Sequence, residues 1–256
     1  MRKVLTVSLV ASLCLLFGSC GSSSVAHVRI LNASPNAGTL DVTINGNNVV
    51  GALAYGTGTN YFTVAPGTNI SLKINNHPVA PVLSQPLTTT IGLVDKSYYT
   101  IAVVGFVADS APNPPILNTF TIAQSLDDHT APATGDIKIR VLQADPAFHV
   151  QPSDSGPVDV YVTTPHVGLN NTPPTFPSVN FQTMTTPVSV VVPTTDGNLQ
   201  IRVAPAGDTN PDADSIPGWD SQIVMFKTGQ VRTYVLLNNP TGTPFNQQNT
   251  LLDDVN

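Results

Sequence analysis

The chain has 256 residues, 41% of them hydrophobic and only 10% charged, with 10 basic against 16 acidic residues and a formal net charge of −6. Every acidic residue is Asp, and proline (23) and glycine (18) are frequent. A net negative charge argues against nucleic acid and against anionic headgroups as partners, and the chain is too apolar and too regularly patterned to be disordered.

The N-terminus reads as a targeting segment. Arg2 and Lys3 precede an apolar run from Val4 to Phe17, shorter than the roughly 20 residues a membrane-crossing helix needs, so residues 1–19 are expected to be a signal peptide. The run ends in "LLFGSC" followed by "GSSS", similar to the lipobox of bacterial lipoproteins, in which the Cys is lipidated and becomes the new N-terminus. Phe17 departs from the Leu usual three residues before the Cys; ordinary cleavage near Ser19 is the other reading. After processing, Cys20 is the only cysteine left, so no internal disulfide can form. An unpaired terminal Cys fits a lipid anchor, which needs two or more acyl chains for stable attachment. The residue after Cys20 is Gly21, not Asp, which in a two-membrane cell implies the outer membrane. The alternative is secretion.

The chain then says one thing twice. "AHVRILNASP" (26–35) returns as "IKIRVLQADP" (137–146), pairing Arg29 with Arg140, Ala33 with Ala144 and Pro35 with Pro146. "LDVTI" (40–44) meets "VDVYV" (158–162) through Asp41 and Asp159, and "VAPGTNISLKI" (64–74) meets "VVPTTDGNLQIRV" (191–203) through Lys73 and Arg202. "SYYTIAVV" (97–104) resembles "VRTYVLLN" (231–238) through Tyr99 and Tyr234, and each copy closes on Leu-Asp-Asp, at 126–128 and 252–254. Each copy is long enough to bury a core without disulfides or metals. Short alternating segments such as "LDVTI", divided by Pro, Gly and Asn, with no helical period, predict strands and turns. The expected fold is all-β: two tandem antiparallel β-sandwich (Ig-like) domains at 26–128 and 136–256. An anchor linker covers 20–25, and a short polar linker at 129–135 is expected to allow the second domain some swing.

Along the first copy, "VRILNASPNAGTLDVTINGNNVVGALAYGTGTNYFTVAPGT" (28–68) resembles the bacterial domain-of-unknown-function family 4397 (DUF4397), which often occurs in tandem in secreted and anchored proteins. The resemblance is weaker in the second copy, where insertions interrupt it. Asn32 and Gln143 stand where many members have His, so a role resting on that His does not carry over. The resemblance implies fold and location, and no activity.

Four features invite a functional reading. Arg29 with Asp41, and Arg140 with Asp159, would be ligand contacts or repeated cross-strand ion pairs. "GDTNPDADS" (207–215) places oxygens of Asp208, Asn210, Asp212 and Asp214 at every second position, as calcium loops do. Ala213 replaces the tight-turn Gly, no bidentate Glu follows and Pro211 stiffens the loop, so a solvated acidic loop is the alternative; beyond such a calcium no cofactor is expected. Trp219 in "SIPGWDSQ", with Phe176 and Phe181 in a Pro-rich insertion, would be an exposed stacking platform for sugars or a buried anchor. His27, His77, His129, His149 and His166 lack metal-ligand spacing, and no G-x-S-x-G, P-loop or H-E-x-x-H motif is present, so no catalytic residue is assigned. The expectation is a lipid-anchored, non-enzymatic binding or adhesion module for a polysaccharide or an envelope protein, acting through second-domain loops. A structural or assembly component is the alternative, and a hydrolase with an Asp-based site the third reading.

Overall fold

The computed structural model describes residues 24–77, 86–107, 120–146, 156–194, 196–214, 216, 219–221, 223–238 and 247–254; Cys20 and the expected signal peptide at 1–19 lie outside them. Regular structure among the described residues is all β, and none of them forms a helix long and apolar enough to cross a membrane. The first copy contributes β1 (Ala26–Ala33), β2 (Leu40–Ile44), β3 (Asn47–Leu53), β4 (Phe62–Val64), β5 (Gly67–Asn76), β6 (Leu87–Leu93), β7 (Tyr98–Val104) and β8 (Thr121–Asp127). The second contributes β9 (Asp136–Gln143), β10 (Val158–Thr163), β11 (Phe176–Val179), β12 (Val188–Val191), β13 (Asn198–Pro205), β14 (Val224–Met225), β15 (Val231–Asn238) and β16 (Gln247–Asp253).

The sheets repeat strand for strand. The order β4-β1-β7-β8 faces β3-β2-β5-β6 in the first sandwich, and β12-β9-β15-β16 faces β11-β10-β13-β14 in the second. Strand pairs are antiparallel except β1 with β7 and β9 with β15, which run parallel. Those parallel pairs fix the true equivalence of the copies. Arg29 opposes Thr100 as Arg140 opposes Thr233, so Tyr99 corresponds to Arg232, and Tyr234 to Ile101. The pairing of Tyr99 with Tyr234 is therefore two residues out. Thr100 opposes Ser125 and Thr233 opposes Leu252, which makes Asp127 the equivalent of Asp254 and shifts the Leu-Asp-Asp strings by one. Matching letters rewards identity, whereas the hydrogen-bond ladder sets which side chains occupy the same place.

Alternation sorts each strand. Val28 and Ile30 of β1, Val42 of β2 and Ile101 of β7 lie in the first core, while Ile139, Val160, Ile201 and Tyr234 lie in the second. The opposite faces of β1, β7, β9 and β15 are also buried. Leu31, Ala33, Ala102, Val104 and Ala123 of the first copy form one apolar cluster with Leu142, Ala144, Val235 and Leu237 of the second. The two sandwiches thus pack back to back through β4-β1-β7-β8 and β12-β9-β15-β16. This corrects the expected swing: a shared buried face, not the linker, sets the relation of the two domains.

Candidate functional site

The arginines that announced the repeat meet at the centre of this junction. Each is held on its own strand and reaches into the other sandwich. Arg29 donates from Nε to Thr100 Oγ1 (2.8 Å), from Nη2 to Thr233 Oγ1 (3.2 Å) and to the Asp254 carboxylate, and from Nη1 to the Asp253 carbonyl (2.8 Å). Arg140 mirrors it, donating from Nε to Thr233 Oγ1 (2.8 Å), from Nη2 to Thr100 Oγ1 (3.2 Å) and Asp127 Oδ1 (2.5 Å), and from Nη1 to the Leu126 carbonyl (3.4 Å). Thr100 and Thr233 in turn donate to Asp127 and Asp254, both at 2.7 Å. The six side chains are buried. Charges taken out of water are tolerated only when paired and hydrogen-bonded throughout, and here each guanidinium meets a carboxylate, both threonine hydroxyls and a backbone carbonyl.

An aromatic cluster caps one side of the network. Tyr61 donates to Asp127 Oδ2 (2.6 Å), and the Arg29 guanidinium lies over its ring at 5.1 Å, a cation–π contact. Tyr98 stacks against His27 (4.3 Å) and against His129 (3.7 Å), with Tyr61 edge-on to both Tyr98 and His129. Burial raises the Tyr61 hydroxyl far above its ordinary value, and burial holds the His129 imidazole below its own, with Asp127 and Asp254 opposing and Arg29 and Arg140 reinforcing. Among the described residues the second copy shows no such cluster. Register puts Lys138 where the first has His27 and Val231 where it has Tyr98, and Lys138 instead reaches Asp128 Oδ2 (2.6 Å) and Thr130. That contact brings the Asp128 carboxyl down to about 2.

The sites expected from the sequence fall elsewhere. Arg29 and Asp41 do not pair, nor do Arg140 and Asp159, because β1 and β2 (like β9 and β10) belong to opposite sheets. Asp41 Oδ1 accepts the Ala52 N–H (2.8 Å) and sits 2.9 Å from His77 Nδ1; Asp159 Oδ1 accepts the Ser178 N–H (2.8 Å). Burial works against the Asp41 charge, but the Ala52 N–H and His77 hold its carboxyl below the usual range. Ala52 and Ser178 have φ of 52° and 50°, each on a strand whose register shifts against its neighbour. The repeated Asp is the staple of a repeated β-bulge, which is why it recurs.

In the acidic loop, Asp208 Oδ1 accepts the Asn210 N–H (2.9 Å) and Asn210 Oδ1 accepts from Asn170 (3.0 Å). Asp212 accepts the Leu169 N–H (2.9 Å) and the Arg202 guanidinium (3.0 Å), which together keep its carboxyl low, the Leu169 bond first. Asp214 is exposed. Among the described residues no three His, Cys, Asp or Glu side chains gather as they would around a metal ion. The loop works as a clasp: Asp212 holds the Leu169 segment, and Leu169 packs on Tyr161 of β10 and Ala204 of β13, leaving Tyr161 4% exposed. Trp219 is not an exposed platform either. It is fully buried in the second core, its Nε1 donating to the Leu237 carbonyl (3.0 Å), because an indole buried in an all-β core needs one acceptor and a strand end supplies it.

The corresponding face of the first sandwich carries no such cover among the described residues. The row Asn48–Thr43–Lys73–Thr88 crosses β3, β2, β5 and β6 in register, with Ser71 and Thr90 paired alongside; all but the half-buried Thr43 are exposed. Thr43 and Lys73 are the counterparts of the covered Tyr161 and Arg202. Sequence reasoning missed the junction because Thr100 and Thr233 carry no motif. A signal was present: "HVRILNA" is apolar at both alternating sets of positions, as a strand buried on both faces must be.

Residues 26–151 match the family model described as "Domain of unknown function (DUF4397)". This segment belongs to the DUF4397 family. The DUF4397 match spans the first sandwich, the linker and β9, so it includes both junction arginines. No curated protein matches the chain. Nine solved chains match it; one is the N-terminal domain of AlgF from P. aeruginosa, 17% identical, covering 41% of this chain and 95% of its own, with a TM-score of 0.26.

Proposed function

We infer that the protein is a non-enzymatic binding module of the cell envelope, lipid-anchored through Cys20 at the outer membrane, in which the two sandwiches act as one rigid block. The observation that carries this reading is the exposed polar face of the first sandwich. Neighbouring strands bring its Asn, Thr, Ser and Lys side chains about 4.8 Å apart, and alternate residues along a strand repeat at about 6.8 Å. Such a lattice of hydroxyl and amide groups, with the Lys73 ammonium among them, suits a polymer that offers hydroxyls at regular intervals, an extracellular polysaccharide. The block is stiffened by the junction, so binding costs little ordering of the protein. Recognition on this reading moves from the second-domain loops, where Trp219 is buried and Asp212 is engaged, to the first sandwich. The reciprocal junction favours a second reading, a structural or assembly component of the envelope.

The test is retention of soluble residues 21–256 on purified cell-wall and capsular polysaccharides, with and without a chelator. The protein is expected to be retained, and the combined changes Lys73→Ala and Thr88→Ala are expected to reduce retention at least severalfold without altering unfolding. Retention unchanged by those substitutions would remove this face from consideration.

A further inference from the structure

The junction has two layers of different symmetry. Its polar layer is reciprocal: Arg29, Thr100 and Asp127 occupy the same places as Arg140, Thr233 and Asp254. By charge alone either sandwich would accept a copy of itself. The apolar layer breaks that equivalence. Register makes Ala102 the counterpart of Val235 and Val104 the counterpart of Leu237, so at these positions the first face is shallow and the second is bulky, whereas Tyr98 of the first stands where the second has Val231. Two first faces would leave voids and two second faces would overpack, and both are destabilising. Only first against second fills the space.

Covalent connection adds little to that recognition. The described strands of each sandwich pair only within it, each sandwich has its own core, and the connection between them is the stretch from Asp128 to Gly135 between β8 and β9. We propose that the junction is an exchangeable interface whose partner is the opposite sandwich of a second copy of this chain. The linker sets the choice. A short flexible tether holds the two faces at an effective concentration in the millimolar range and so favours the closed monomer. A linker too short to close makes two chains trade sandwiches and form both junctions between them, the usual route to a swapped dimer.

The first test is the full chain lacking residues 129–134. Only Asp128 and Gly135 then separate β8 from β9, and their three peptide steps span at most about 11 Å. Packed sheets lie about 10 Å apart, so an offset of more than about 5 Å along or across the strands between Asp127 and Asp136 puts the closed junction out of reach of that span. Light scattering after gel filtration is expected to give twice the chain mass, and the same deletion carrying Arg140→Ala is expected to lose the dimer. A deleted chain that is folded and monomeric, or a dimer indifferent to Arg140→Ala, overturns the proposal. If the deletion prevents folding, the decision passes to a chain of natural length with a protease site at 130–133, folded and then cleaved. Tagged and untagged cleaved proteins are mixed through mild denaturant and captured by a tag on the first sandwich. Untagged second sandwich should be recovered, and untagged first sandwich should not. Recovery of the first, or separation of the halves on cleavage, refutes it.

Discussion

Arg140 is a fully buried cation whose every donor group is engaged. Truncating one member of such a network leaves the opposite charge buried without a partner, so Arg140→Ala is expected to lower stability by about 3–5 kcal/mol in urea unfolding. Arg140→Lys should recover only part of this, because an ammonium cannot reproduce the fork that bridges Thr233 and Asp127. The residue scale also sets a pH response. Burial depresses the His129 imidazole, so the unfolded chain binds its proton first. The stability this contributes is present above the ordinary imidazole value of about 6.5 and is lost as pH falls below it. His129→Gln should therefore flatten the decline of the melting temperature between about pH 7 and 5. Asp128, held at about 2 by Lys138, is depressed in the same sense. Its contribution is present above the ordinary carboxylate value and disappears as pH drops toward 2.

At the element scale, turns and bulges reproduce what their residue types require. Asn45 and Gly46 form the two-residue link between β2 and β3 with φ of 48° and 83°, the Asn-Gly hairpin chemistry visible in "TINGNN". Gly197, at φ 69°, is more constrained, since a Cβ there would lie 2.8 Å from the Phe226 carbonyl oxygen, whereas one at Gly46 meets nothing within 4 Å. Gly46→Ala is expected to cost about 1–2 kcal/mol from backbone strain alone, and Gly197→Ala distinctly more, in the same denaturation assay. The strands themselves were legible from alternation. The bulges were not, because an extra residue in one strand changes no letter of the pattern; Asp41 and Asp159 looked like charge partners for the arginines when they are local staples.

For the whole molecule, the shared face couples two cores that could otherwise melt apart. Trp219 is the only tryptophan and reports on the second core, yet Arg29, on the first sandwich, donates to Asp254 and Thr233 in the second. The fluorescence midpoint of Trp219 is expected to coincide with the far-ultraviolet transition in the unaltered protein, as two-state behaviour demands. In Arg29→Ala it should fall, although that residue lies outside the second sandwich. A midpoint of Trp219 insensitive to Arg29 would show the sandwiches to be energetically separate.

Composition and alternation by themselves determined that the chain is all β, that one sandwich is written twice, and that Arg29 corresponds to Arg140, since these depend on local preference and on order along the chain. Which acid each arginine meets, whether Trp219 faces sugar or core, and which outer face stays exposed were decided only by the tertiary structure. The physical reason is the same in each case: two sheets packed back to back join residues more than 200 positions apart, as Arg29 and Asp254 are, and no spacing rule within a strand reaches across that contact.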